Sequence, residues 1–401
     1  MATVALTGHF VTKIKPTAGP LSVVYIKSAS YSSDGGKPNI AAYKRGTGGR
    51  CSFNGIVATV FGCTGFVGRY VVNKLGKTGT QMILPYRSDF YDAQRLKVAG
   101  DLGQVLFTPY DLRDEESIAK AVRYSNVVIN LVGRDYETKN FKYKDVHATI
   151  NKISREMGVE RFIHVSYLNA SPKPKPLVLK TPSMYKVSKY WGECAVREEF
   201  PTATIFRASD IYGSEDRFLR TFASATRING QYMALYKNGL ETIKQPVFVS
   251  DLAQGILNAI RDPDTQMSGL PSGWVNILLP RRYLLADLVD WFFALMRKDE
   301  KYWGYQRYDM KYDPIMFPLK VRLVNLISPS YPLGGLHWEA IEKESTTDLV
   351  DASIPTLEDL GVTLTKMEDQ VPWELKPFRA FQYYMAKVGE FPNPPNPKIQ
   401  A

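Results

Sequence analysis

The segment Phe61-Gly62-Cys63-Thr64-Gly65-Phe66-Val67-Gly68 constrains this chain more than any other. An apolar stretch, Ile56 to Phe61, precedes it and reads as a strand. Arg69-Tyr70-Val71-Val72-Asn73-Lys74-Leu75 comes after it and reads as a helix ending at Gly76. A strand, a glycine turn and a helix N-terminus in that order leave unpaired backbone N–H groups at the positive end of a helix dipole, which together make a phosphate site. Gly62 serves the tight turn, Gly65 the approach of a pyrophosphate, and Gly68 the packing of helix on strand. Thr64, Phe66 and Val67 complete the candidate cofactor loop. The same glycines can build an ordinary βα turn, but the flanking strand and helix favour the phosphate site.

Beyond Gly76, strand and helix patterns alternate. Gln81–Tyr86, Val105–Tyr110, Asn126–Val132, Arg161–Tyr167 and Ala203–Phe206 read as strands. Glu115–Tyr124, Tyr143–Met157 and Tyr185–Glu199 read as helices. The run at 126–132, apolar apart from Asn126 and Asn130, fits a strand buried on both faces. This pattern predicts an α/β fold, a Rossmann-type doubly wound parallel sheet, with ligands at the carboxyl ends of the strands. Beyond Ser209 the rhythm fails, and helices such as Val249–Arg261 stand between loops. The expected organisation is an import leader and linker over 1–50 and a dinucleotide-binding domain over 51–250. A smaller interwoven domain would cover 251–390, partly interleaved with 210–246, with an extended Pro-rich tail over 391–401.

Composition narrows the function classes. Three cysteines (Cys51, Cys63, Cys194) have neither disulfide-framework nor metal spacing, and the four histidines make no metal-binding pair, so no metal site is expected. The net charge is +11, of which residues 1–50 carry +6. That leader is rich in Ser, Thr and Gly and lacks a long apolar run, which predicts mitochondrial import, a basic tail being the alternative. Because the basic excess sits there, nucleic acid is not an expected partner. No stretch reaches 18 apolar residues without a charge, so no transmembrane span is expected.

Several residues at strand ends point to a dinucleotide. Arg87 leaves the second strand where a cation would take the 2′-phosphate of NADP, although Asp89 two residues on would suit the ribose of NAD. NADPH is therefore the favoured cofactor over NAD(H). Asp111 and Leu112 come after the third strand, at the adenine end. Leu131, Val132 and Gly133 close the fourth, where small residues let a dinucleotide lie close. Tyr185 and Lys189 form a YxxxK whose members share a helix face. A nearby ammonium is expected to lower the phenol pKa and fit it for proton transfer to a carbonyl, with Ser166 donating a hydrogen bond. The same spacing at Tyr70/Lys74 and Tyr383/Lys387 shows how easily it arises by chance.

Together these pieces resemble the extended or atypical branch of the short-chain dehydrogenase/reductase superfamily. Phe162-Ile163-His164-Val165-Ser166 is similar to its fifth strand. Arg207-Ala208-Ser209-Asp210-Ile211-Tyr212-Gly213 is similar to its RPxxIYG segment, with Ala208 where proline is usual. More narrowly, Asn126 to Phe141, Asp101-Leu102-Gly103-Gln104, His164 to Ala170 and Asp216-Arg217-Phe218-Leu219 resemble a family of nucleotide-binding accessory subunits of mitochondrial respiratory complex I. The resemblance covers roughly residues 52–380. It implies tightly held NADPH without turnover and other complex I subunits as partners. It also implies a peripheral place on the matrix side of the inner membrane, near the quinone and lipid region. Carried over by position, Gly62, Gly65, Gly68 and Arg87 would hold pyrophosphate and 2′-phosphate. Val132, Ser166, Tyr185 and Lys189 would meet the nicotinamide end, and Ser209 and Ile211 would join the cofactor contacts. Ser166 and Tyr185 lie 19 residues apart, longer than usual in active reductases, with the Pro/Lys excursion Ser171 to Pro176 between them. This spacing points to a non-catalytic role, with Ser166, Tyr185 and Lys189 vestigial. The alternatives are an active NADPH-dependent reductase or epimerase using those three residues, and a lipid- or RNA-binding protein that borrowed the fold.

In the distal half, Leu284, Leu285, Leu288, Trp291, Phe292 and Leu295 form a helical apolar stripe expected to be core. Residues 302–327 mix aromatics with cations and suit either a small-domain core or a lipid or partner surface.

Overall fold

The run of six β-branched and apolar strands in the first half assembles as one parallel sheet. Strands β1 (Val57–Phe61), β2 (Gln81–Tyr86), β3 (Val105–Pro109), β4 (Val127–Asn130), β5 (Arg161–Tyr167) and β6 (Thr204–Ala208) pair in the order β3-β2-β1-β4-β5-β6. Every pairing is parallel. The order reverses between β1 and β4, and both are buried at every position. Two-sided burial explains why their sequences run apolar without alternation. The computed structural model describes residues 43–137, 149–228, 230–261, 274–277, 280–313, 315–328, 333–351, 353–385 and 388–400. The expected leader up to residue 42 and the start of the helix expected over Tyr143–Met157 lie outside them.

Helices α1 (Phe66–Gly76), α2 (Phe90–Gln94), α3 (Glu115–Val122), α4 (Thr149–Glu156) and α5 (Met184–Glu199) connect these strands. One face of the sheet is covered by α1, through Val71, Val72 and Leu75. The other is covered by α3, α4 and α5, through Ile118, Ile150, Ile153 and Val196. Each crossover therefore buries its apolar stripe, and the doubly wound arrangement expected from the sequence forms.

After β6 the chain leaves and returns. It makes β7 (Ile211–Tyr212), α6 (Phe218–Ala223), β8 (Tyr232–Leu235), β9 (Ile243–Lys244) and β10 (Val247–Phe248). Helix α7 (Val249–Arg261) then packs on α1, and β11 (Trp274–Ile277) adds parallel to β6 as the seventh strand. The boundary expected at residue 250 is thus not where the layers divide. Leu252, Ile256, Val275 and Ile277 join the same core as β1, because α7 has an apolar face that only the sheet can cover.

The rest is β12 (Arg282–Leu284), α8 (Leu285–Leu295), α9 (Glu300–Trp303), β13 (Gln306–Asp309), α10 (Met316–Ile327), α11 (Trp338–Ser345), α12 (Met367–Glu374) and β14 (Ile399–Gln400). The stripe on α8 is core, buried with Leu219 and Phe222 of α6 and Met367 and Val371 of α12. The 302–327 region divides its roles. Phe317, Val321 and Val324 of α10 pack with Ile341 of α11. Leu319, Leu323 and Leu326 on its other face are 56, 53 and 79% exposed. The Pro-rich tail ends in β14, antiparallel to β12. No helix among the described residues is long and apolar enough to cross a membrane.

Candidate functional site

At the carboxyl end of β1, Gly62 adopts φ +83°, a conformation L side chains rarely take. The loop then passes directly beneath the first turn of α1. A Cβ on Gly68 would lie 2.3 Å from the Gly62 carbonyl oxygen and 2.7 Å from Cys63 Cα. Gly65 precedes the helix, and neither a side-chain cap nor an acidic residue occupies the first turn of α1. Its leading N–H groups therefore remain available to an anion. Thr64 is half-buried and Gly65 exposed; Phe66 lies against Gly213, and Val67 packs on the core. A Cβ on Gly62 would come 3.1 Å from the backbone of Leu131, so the loops leaving β1 and β4 meet at the switch point. This cradle fits a pyrophosphate.

At the end of β2, Arg87 is exposed and acts electrostatically on the Tyr110 phenol. Asp89 is also exposed, and its Oδ1 accepts the Tyr91 N–H at 3.4 Å, capping α2. Asp111 is exposed and its Oδ1 accepts the Arg113 N–H at 3.0 Å, an Asx turn. Leu112 packs into the core beneath α3, with 7% of its surface exposed. At the ends of β2 and β3, Arg87 is therefore exposed while Asp111 and Leu112 serve local structure.

At the other end of the crevice, Leu131 and Val132 are half-buried, and the Val132 N–H donates to Asn130 Oδ1. Lys189 Nζ donates to the Val165 carbonyl at 3.3 Å and lies 2.9 Å from where a Cβ on Gly133 would sit. Burial pulls its ammonium down to about 8. The Ser166 hydroxyl is buried without a hydrogen-bond partner among the described residues, the kind of donor a bound group would satisfy. The Tyr185 ring lies 5.5 Å from Tyr167. Contrary to expectation, the phenol is pushed up, to about 12, by burial. The first cation opposing that shift is Lys343 of α11, not Lys189, whose ammonium is spent on Val165. Ser209 turns away: its hydroxyl donates to the Gln245 carbonyl at 2.5 Å. Ile211 lies in β7 and packs on the main core.

Sequence reasoning missed what surrounds Tyr185. Lys343 Nζ pairs with Asp210 Oδ1 at 2.7 Å, and Lys244 holds the other oxygen at 3.0 Å. Asp210 is held well below the usual carboxylate range by these two ammonium groups, which overcome its burial. Helix α11 carries two more anchors. Glu342 accepts the N–H groups of Leu177, Val178 and Leu179 at 2.9, 2.7 and 3.1 Å, and lies 3.8 Å from Lys186. Glu339 accepts from Ser183 Oγ and the Met184 N–H at the start of α5. The long excursion between Ser166 and Tyr185 is thus pinned to the distal half. Asp210 and Arg217 stand within recognisable motifs; Lys343 carries no local signal.

The sequence pattern of the NAD dependent epimerase/dehydratase family matches residues 58–271. The chain is 41% identical over 358 residues to the mouse protein "NADH dehydrogenase [ubiquinone] 1 alpha subcomplex subunit 9, mitochondrial", covering 87% of this chain and 88% of that protein. It is 34% identical to the Neurospora crassa "NADH-ubiquinone oxidoreductase 40 kDa subunit, mitochondrial", covering 87 and 85%. Among solved structures, Thermus thermophilus UDP-glucose 4-epimerase in complex with NAD superposes with a TM-score of 0.54 at 15% identity, covering 81% of this chain and all of that one. That last likeness concerns the fold.

Proposed function

The chain belongs to the family of mitochondrial NADH dehydrogenase (ubiquinone) 1 alpha subcomplex subunit 9, within the NAD dependent epimerase/dehydratase family, and on that premise we propose that it is a non-catalytic accessory subunit of complex I holding NADPH as a structural coenzyme. In this reading it sits on the matrix side of the inner membrane, where the peripheral and membrane arms join. The relatives' names support the compartment and the assembly. The exposed apolar face of α10 supports contact with a neighbouring subunit or with phospholipid near the quinone region.

One observation carries the coenzyme assignment. Arg87 is an exposed cation at the end of β2, and Asp89 two residues on turns its Oδ1 to the Tyr91 N–H at the start of α2. A guanidinium there suits a 2′-phosphate through paired N–H groups. Gly62, Gly65 and Gly68 would hold the pyrophosphate, and Ser166, Tyr185 and Lys189 the nicotinamide ribose and ring. When bound, the coenzyme would supply a hydride donor; this chain's residues bind and orient it. Because it binds only the folded state, its retention stabilises the subunit by mass action.

Native purification of complex I, then nucleotide extraction, tests the reading. About one NADPH per copy of this chain is expected, and an empty, indifferent subunit overturns it. In the isolated chain, Arg87→Glu is expected to weaken NADPH about 10- to 100-fold, the range for hydrogen bonds to a charged group. NAD(H) should change little, and an equal loss for both removes the 2′-phosphate role.

The unpartnered Ser166 hydroxyl favours a second reading, a reductase with the same coenzyme. Its signature is steady NADPH oxidation with a carbonyl substrate that Tyr185→Phe abolishes. On the structural reading both forms are silent.

A further inference from the structure

The loop leaving β4 does more than pass the nicotinamide end. From Gly133, which rests against the Lys189 ammonium, it runs into Arg134, Asp135 and Tyr136. Two distant parts of the chain take hold of it there. Arg217, just before α6, pairs with the Asp135 carboxylate. His337, just before α11, donates from Nε2 to the Asp135 carbonyl at 3.0 Å and packs edge-on against the Tyr136 ring, centroids 5.8 Å apart. The guanidinium groups of Arg134 and Arg217 lie 5.6 and 5.5 Å from the centre of that ring, which is 7% exposed. Gly133 at the Lys189 ammonium leads directly into the clasp, and Asp135 and Arg217 both lie within electrostatic range of the Tyr185 phenol.

We infer that Arg217 and His337 latch the Asp135–Tyr136 loop across the nicotinamide end of the dinucleotide site, so that coenzyme leaves only when the latch opens. The inference rests on the coenzyme reading above and adds to it the device of retention. The latch sets the chain's own ion pair beside that end of the site, where it would keep the coenzyme in. Sequence separations of 82 and 202 residues mean that the clasp exists only once the distal half has folded onto the sheet. About half of the Arg217 side chain remains exposed, so its pairing is open to screening by salt.

The test is the rate of NADPH release from the full-length chain, monitored by nicotinamide fluorescence after addition of excess NADP+. Arg217→Ala is expected to speed release about tenfold, the scale of losing a partly buried, charge-assisted contact. Arg217→Lys should restore most of the slow rate. His337→Ala, which leaves α6 untouched, should also quicken release. Asp135→Asn combined with Arg217→Ala should release no faster than the faster of the two single variants, as expected for one shared contact. Raised salt should quicken the native chain and leave Arg217→Ala unchanged. If the native chain holds NADPH and both Arg217→Ala and His337→Ala release it at the native rate, the latch is overturned while the coenzyme reading stands. If the native chain takes up no NADPH, the coenzyme reading falls and the latch with it.

Discussion

Gly68→Ala is expected to destroy coenzyme binding and to cost about 3 kcal/mol of stability, within the range for overpacking against rigid neighbours. The added methyl meets only backbone: the Gly62 carbonyl oxygen at 2.3 Å, Cys63 Cα at 2.7 Å and the Cys63 carbonyl oxygen at 2.8 Å. No side chain can rotate to relieve it. Either α1 lifts from β1, opening the core around Val71 and Leu75, or the loop itself shifts and its N–H groups lose their aim. Gly65→Ala is the informative contrast. Its methyl would meet the Gly62 carbonyl alone, at 3.2 Å, and otherwise project into the cradle. It should melt close to the native temperature yet lose the stabilisation that NADPH confers. Thermal melts of both variants with and without NADPH read the two effects separately. Normal NADPH stabilisation in Gly68→Ala would refute the phosphate role of the loop.

Glu342→Ala should be the most damaging single change outside the glycine loop. The carboxylate is fully buried and satisfies three successive amides, Leu177 to Leu179, while facing the buried Lys186 ammonium. Truncation leaves the buried ammonium with Thr346 Oγ1 at 2.6 Å but without its carboxylate, and takes the acceptor from three partly buried amides, a loss of about 3 kcal/mol for a broken buried pair. Burial already pulls the Lys186 ammonium down, and removing Glu342 takes away the charge that most opposes this. Glu342→Gln is no rescue, because its amide group would place a donor among donors. Denaturant unfolding measures the loss. Hydrogen exchange at 177–179 locates it, and unchanged protection there would show that Glu342 does not anchor the excursion.

Much of the sheet was legible because its strands are short apolar runs between glycine turns. The bounds of β2, β5 and α7 coincide with those expected from Gln81–Tyr86, Arg161–Tyr167 and Val249–Arg261. The return of the chain to that sheet was not legible. Strand β11 is four residues long, and its pairing with β6 depends on an apolar face of α7 that no local pattern ties to α1. At the candidate site, the positions of the glycine loop, Arg87 and Ser166 were legible because each lies at the end of a strand. Tyr185 shows where such reasoning stops. Residues four apart share a helix face, but the Lys189 ammonium goes to the Val165 carbonyl, and the cation acting most strongly on the phenol comes from α11. Contacts of that kind have no period and no spacing.

Helix α11 closes a site whose other parts lie in the first half of the chain: Glu339 reaches Ser183 across 156 residues of sequence. At roughly 5–20 residues per second, a ribosome needs about 8–30 s to make that interval. A nascent chain, or one threading into a compartment amino end first, will have its phosphate loop long before it has the helix that steadies α5. On the proposed function, firm coenzyme capture would therefore be a late event in the life of each molecule, and it would mark a polypeptide that has arrived whole.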